Sequence, residues 1–85
     1  MTFAKLFERP HFGQVLAKLD RSPDGCPELR WYVEPPGFGV CSLAFVFDDD
    51  ELGWDKAEAV FNKTTDADAD FAGKKLFTLA ELPIE

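Results

Sequence analysis

Residues 39–47, GVCSLAFVF, form the most continuously apolar stretch of the chain and hold no charged side chain. A short run of this kind, preceded by glycines and stopped by aspartates, reads as a strand. Alternation puts Cys41, Leu43, Phe45 and Phe47 on one face and Val40, Ser42, Ala44 and Val46 on the other, so both faces are expected to be at least half covered. The stretch is therefore expected to be the central strand of a small sheet, with Phe45 as a core anchor.

The segments before it read as its neighbours. Residues 13–20, GQVLAKLD, alternate with Val15, Ala17 and Leu19 on one side, and residues 28–34, ELRWYVE, with Leu29, Trp31 and Val33. Ser22-Pro23-Asp24-Gly25 supplies turn chemistry between these two segments, and residues 35–39, PPGFG, supply it before the third strand. Short turn-rich links between consecutive strands predict an antiparallel meander. Residues 1–12 suit either a short amphipathic turn or an edge strand, ended by Pro10.

Beyond Phe47 the period changes. Asp48, Asp49, Asp50 and Glu51 stop the strand and place acids where a helix macrodipole favours them. Trp54, Ala57, Val60 and Phe61 then recur at helical spacing, predicting a helix over about residues 50–63, with Asp55 and Glu58 as a capping box if it starts late. Its apolar side is expected on the sheet face that carries Trp31 and Phe45. Thr64 and Thr65 are cap candidates for a second helix whose buried stripe would be Ala69, Ala72, Leu76 and Leu79. Gly73 weakens that helix, leaving residues 74–82 as helix or edge strand, and Pro83 ends the element. The expected architecture is one α+β domain over residues 1–85, a three-stranded antiparallel β-meander with one or two C-terminal helices on one face.

A chain of 85 residues is near the lower limit for an unstapled core, and nine Phe, two Trp and one Tyr supply the large buried area it needs. No disulfide is then required. A hairpin turning near Gly37 sets Cys41 opposite Val33 and leaves Cys26 roughly 23 Å away along that strand, too far for a bridge. Both cysteines are expected as free thiols. The net charge of −7 and the absence of a basic cluster beyond Lys74 and Lys75 exclude a phosphate-binding surface, and with it nucleic acid and anionic membrane. No uncharged run approaches the ~20 residues of a transmembrane helix, and Lys5, Glu8 and Arg9 interrupt any signal-peptide core, so a cytoplasmic location is expected.

The catalytic and metal patterns are incomplete. Asp66, Asp68 and Asp70 match the first three ligand positions of a calcium loop, yet Phe71 stands where the loop needs glycine and Phe77 where it needs a bidentate Glu. A solvated, acidic helix start accounts for them. His11, the only histidine, and the thiols of Cys26 and Cys41 form no recognisable nucleophile–base spacing. No catalytic residue, cofactor or metal is expected.

Two surface features remain. Residues 48–70 hold nine acids against two bases, and the rest of the chain balances seven against seven, so the whole net charge lies in one region. Asp48, Asp49, Asp50, Glu51, Asp66, Asp68 and Asp70 are the candidate acidic side for docking a basic partner, with ordinary capping and solubility as the simpler explanation. The second feature is the sheet face away from the helices, carrying Leu16, Tyr32, Val40, Ala44 and Val46. Either the N-terminal segment with Phe3, Phe7 and Phe12 folds over it, or another protein does.

The succession FGQVLAKLD, PELRWYVEPPGFGVCSLAFVF and an acidic Trp-Asp-Lys-Ala helix, about residues 12–61, resembles small bacterial proteins of prophage and phage accessory regions. The resemblance carries no activity and no site residues. It implies an accessory protein that binds and inhibits a host factor. The functional expectation is a non-catalytic protein-binding accessory or inhibitory protein, monomeric or homodimeric. The alternatives are a nucleic-acid mimic that inhibits a DNA-binding protein, and a small ligand-binding domain or enzyme using Cys26, Cys41 or His11.

Overall fold

The computed structural model describes residues 3–37 and 39–79. Four strands and two helices follow one another: β1 (Phe3–Arg9), β2 (Gly13–Arg21), β3 (Pro27–Val33), β4 (Cys41–Val46), α1 (Glu51–Asn62) and α2 (Asp66–Leu79). The strands form one antiparallel sheet in sequence order, with both helices against one face. The α+β class and the meander hold, with one strand more than the three expected. Phe38 in the second turn and the stop at Pro83 lie outside the described residues.

The additional strand is β1, at the edge of the sheet, so of the two expectations for residues 1–12 the edge strand is the one found. Its helix-facing positions read Phe3, Lys5, Phe7 and Arg9, paired in register with Leu19, Ala17, Val15 and Gly13. Two cations on the apolar side hide the period-two signal, because strand patterns are recognised by polarity. Lys5 tolerates that position because its ammonium donates to Phe61 O at 2.8 Å, Asn62 O at 3.2 Å and Thr64 Oγ1 at 3.2 Å.

The strand order, not the presence of β1, decides which strands are central. β2 and β3 occupy the middle, and Val15, Ala17, Leu19, Leu29, Trp31 and Val33 form the buried sheet side of the core. β4 is an edge strand, contrary to the central position expected for residues 39–47. Phe45 is correspondingly 46% exposed and no core anchor. The hydrophobicity of this stretch does not come from burial on both faces. Its register follows the turn as expected, with Val33 opposite Cys41, Trp31 opposite Leu43 and Leu29 opposite Phe45. Cys26 and Cys41 are free thiols.

Both helices are capped by their own acids. Asp50 Oδ1 accepts from Gly53 N at 2.6 Å, so α1 begins at the first capping opportunity and the later Asp55–Glu58 box is not used. Thr65 N donates to Asp68 Oδ2 at 2.8 Å at the start of α2. α1 buries Gly53, Ala57 and Phe61, with Val60 exposed beside them, while Trp54 lies half-buried under the Arg21 guanidinium at 5.0 Å. α2 continues as helix through residues 74–79 and buries Ala69, Ala72, Gly73, Leu76 and Phe77. Leu79, expected in the stripe, is 74% exposed, and Phe77 takes the core position instead. No described helix is long and apolar enough to cross a membrane.

Gly73 is required by packing. Phe12, at the β1–β2 turn, stacks edge-on against Phe77 at 5.2 Å and fills the space above Gly73, where a Cβ would lie 2.5 Å from the Phe12 ring. Ala favours a helix interior by about 1 kcal/mol over Gly, but overpacking a tight core costs about 1–3 kcal/mol. Gly73→Ala is expected to destabilise by about 1 kcal/mol net in urea unfolding, with Phe12→Leu recovering part of that loss in the double variant.

Candidate functional site

The helices form a V. α1 leaves the Phe47 end of β4, passes under β3 and β2, and ends at the Lys5 ammonium on β1. Its last carbonyls lie at the negative end of the helix dipole, and Lys5 donates to two of them, sharing Phe61 O with the amide and hydroxyl of Thr64. Three residues later α2 starts back under the sheet, held to the same strand by Arg9. That guanidinium donates to Asp70 Oδ1 at 2.8 Å and Oδ2 at 2.9 Å and lies 3.2 Å from Asp66 Oδ2. The apex of the V is thus fixed on β1, and its arms diverge toward β4, with no close backbone approach between them among the described residues.

Between the arms lies a groove of about 550 Å³. Leu29 and Trp31 form its buried floor, Leu43, Phe45 and Phe47 its sheet side, and Val60 and Phe71 face it from α1 and α2. Phe45, Val60 and Phe71 are exposed there, at 46%, 46% and 57%. Lys63, Thr64 and Asp68 close the apex end. The groove opens beside β4, whose outer edge pairs with no strand. β4, CSLAFV, contains no charge and no proline. The opposite edge is guarded, since β1 carries inward Lys5 and Arg9 and is followed by Pro10. One edge is thus shielded against strand addition and the other is open to it.

The seven candidate acids divide between the two ends of α1, which is about 18 Å long at 1.5 Å per residue and itself carries Asp55 and Glu58. Asp48, Asp49, Asp50 and Glu51 lie at the mouth of the V, and Asp66, Asp68 and Asp70 at its apex. Asp50 and Asp68 are caps, Asp66 and Asp70 bind Arg9, and Asp49 lies 3.6 Å from Arg21. Asp48 and Glu51 are the two candidates without such a partner among the described residues. The carboxylates of the calcium-like triplet therefore face an arginine and a backbone amide.

Cys26 precedes β3 at one end of the sheet and Cys41 begins β4 at the other, while His11 sits in the β1–β2 turn with its ring 6.3 Å from that of Phe12. The three do not converge. On the outer sheet face, β1 joins the edge of the sheet and leaves that face open. Phe3 and Phe7 point to the helix side, 6.2 Å from Phe61 and 5.8 Å from Trp31, and Phe12 enters the core. Leu16, Tyr32 and Ala44 are half-buried there, and Val40 and Val46 are exposed.

The groove was not anticipated from the sequence. Its signal is Phe71, a large aromatic on the side of α2 that otherwise presents Ala67, Asp68, Lys74 and Lys75. Comparison with protein-family models, curated proteins and solved structures gives no match.

Arg9 also sets a pH dependence. Its hydrogen bonds hold the Asp70 carboxyl below the usual carboxylate range, opposed in part by burial and assisted by the charges of Arg9 and His11. A depressed folded-state pKa adds stability above the unfolded Asp value near ~3.9 and loses it as pH falls through the folded value. Asp70→Asn is expected to lower the thermal midpoint at neutral pH, and the gap to the parent protein should close as pH is taken from about 5 into the acid limb. A constant gap would show that the Arg9 contact contributes through shape alone.

Proposed function

We propose that this chain is a non-catalytic protein-binding module that takes an extended segment of its partner onto β4, with the segment's apolar side chains entering the V. The observation that carries this reading is the pairing of an uncharged, open edge strand with an adjoining groove whose exposed walls are Phe45, Val60 and Phe71. Strand addition supplies main-chain hydrogen bonds, and alternate side chains of the added strand reach the groove. Exposed aromatics around a buried Trp31 floor are the kind of surface from which binding hot spots are built.

The charge of residues 48–70 then bears on the choice of partner. Asp48, Asp50 and Lys56 line a shallow depression that meets Phe47 at the mouth of the groove, with Asp49 and Glu51 beside it. A segment with basic residues flanking its apolar ones is favoured, mainly through a faster and salt-sensitive association. An accessory or inhibitory role follows from occupying such a segment without chemistry on it. The ion pairs of Arg9 and Arg21 count against the nucleic-acid-mimic alternative, because a phosphate-like array needs carboxylates that are not already neutralised.

A fluorescence titration tests the proposal. In a Trp54→Phe background Trp31 is the sole tryptophan, and it forms the groove floor. A capped octapeptide of alternating lysine and valine should give a saturable change, and a glutamate–valine counterpart a weaker one. Phe71→Ser should weaken the lysine peptide at least ~10-fold, about 1.4 kcal/mol. Phe45→Ala should do the same while costing about 1–2 kcal/mol of stability, against about 3–5 kcal/mol for a fully buried Phe. Binding unaffected by both substitutions would remove the groove from the function.

A further inference from the structure

The outer face of the sheet carries a second pattern. Register aligns Leu6, Leu16, Tyr32 and Ser42 in one row across all four strands. Leu6, Leu16 and Tyr32, with Val40, line a depression of about 410 Å³. On one side of this row stand Glu8 and Gln14, paired across β1 and β2, with Glu34 just beyond β3. On the other side stand Ala4, Lys18, Arg30 and Ala44, again in register. Same-face rows are ~7 Å apart along a strand. The face is thus an apolar row with an acidic and polar row on one flank and a basic row on the other, beyond which Asp20, Glu28 and Val46 form the next row.

Such a face is complementary to itself. We infer that it is where two copies of this chain pair, face to face, about a two-fold axis running along the Leu6–Leu16–Tyr32 row. Rotation about that axis keeps each strand over its own counterpart and exchanges the flanks. Arg30 then faces the partner's Glu34, Lys18 faces the partner's Gln14, and Ala44 lies toward the partner's Val40. The central row stacks apolar on apolar. A two-fold axis parallel to the strands would instead set like charge on like charge.

Arg30 is held in an ion pair with Glu28 of its own strand, so the partner's Glu34 would add to that pair as a second carboxylate. Its Nε and Nη2 donate to Glu28 at 2.8 and 3.2 Å and its Nη1 to Ser42 at 2.8 Å, which holds the guanidinium over the sheet with hydrogens remaining on both terminal nitrogens. The overall charge does not oppose the pairing. The −7 lies wholly in residues 48–70, whose helices are on the far side of the sheet, and the remaining residues balance. Sheets stack ~10 Å apart, and exposed charges beyond ~8 Å are largely screened at physiological salt. Four strands at ~4.8 Å spacing and rows spanning ~20 Å give a footprint of roughly 400 Å², below the ~800 Å² per partner of standard interfaces. The expected dimer is therefore concentration-dependent.

Sedimentation equilibrium of the full chain from micromolar to millimolar concentration reads the outcome. The parent protein should pass from monomer to dimer. Leu6→Lys, at a position 57% exposed where folding is not at stake, should weaken the dimer at least tenfold. Arg30→Glu and Glu34→Arg should each weaken it, and the combined swap should restore it toward the parent value, with circular dichroism confirming that each variant folds. A monomer at millimolar concentration overturns the inference. So does a dimer abolished by Phe45→Ser or Phe71→Ser but indifferent to Leu6→Lys, which would run through β4 instead, and so does a charge swap whose losses simply add.

Discussion

The Lys5 ammonium is the constraint on which the arrangement of the helices depends. It is a cation on the core-facing side of a strand, and its position is possible only because α1 delivers carbonyl oxygens to it. The two requirements satisfy each other. An inward lysine needs acceptors, and a helix C-terminus needs donors and positive charge. Arg9, four residues further along β1, performs the corresponding service near the start of α2 through Asp66 and Asp70. Both helices are thereby tied to one edge of the sheet. Two arms fixed at one edge and diverging leave the other edge bare, and the groove beside β4 follows from where the cations of β1 sit.

Much of the fold was legible because local signals agreed with one another. The turns at residues 22–25 and 35–39 set the β2–β3–β4 register, and the predicted pairing of Val33 with Cys41 is the one found. Asp50 and Thr65 mark the starts of the helices. What was not legible depends on tertiary context. β1 is disguised by Lys5 and Arg9, whose polarity conceals a core-facing alternation until the helix ends they bind are known. The place of β4 in the sheet is obscured for the converse reason. High hydrophobicity was read as burial on two sides, whereas Phe45 and Val46 are exposed on an edge.

The acidic residues show why charge along a sequence translates poorly into charge on a surface. Residues 48–70 were read as one side, but a helix of twelve residues stands between the two clusters, and arginines from the sheet meet each of them. Capping absorbs two more. What remains for recognition is Asp48 and Glu51 at the mouth of the V, with Asp55 and Glu58 exposed along α1. Phe71 points the other way. An aromatic on the polar side of a helix is a small departure from amphipathicity, visible in the sequence, whose meaning emerged only with the groove wall it completes.

The bare edge of β4 also bears on how this chain behaves in concentrated solution. Six uncharged residues with no proline and an unpaired rim are a template for growth by identical strands, and neither face of β4 carries the lysine or kink that edge strands commonly use as a guard. Asp48, Asp49 and Asp50 follow β4 directly, so copies adding along that edge bring like charge together, unlike copies meeting through the outer sheet face. The net negative region of the chain therefore lies beside the unguarded edge of the sheet, the place where identical strands can add.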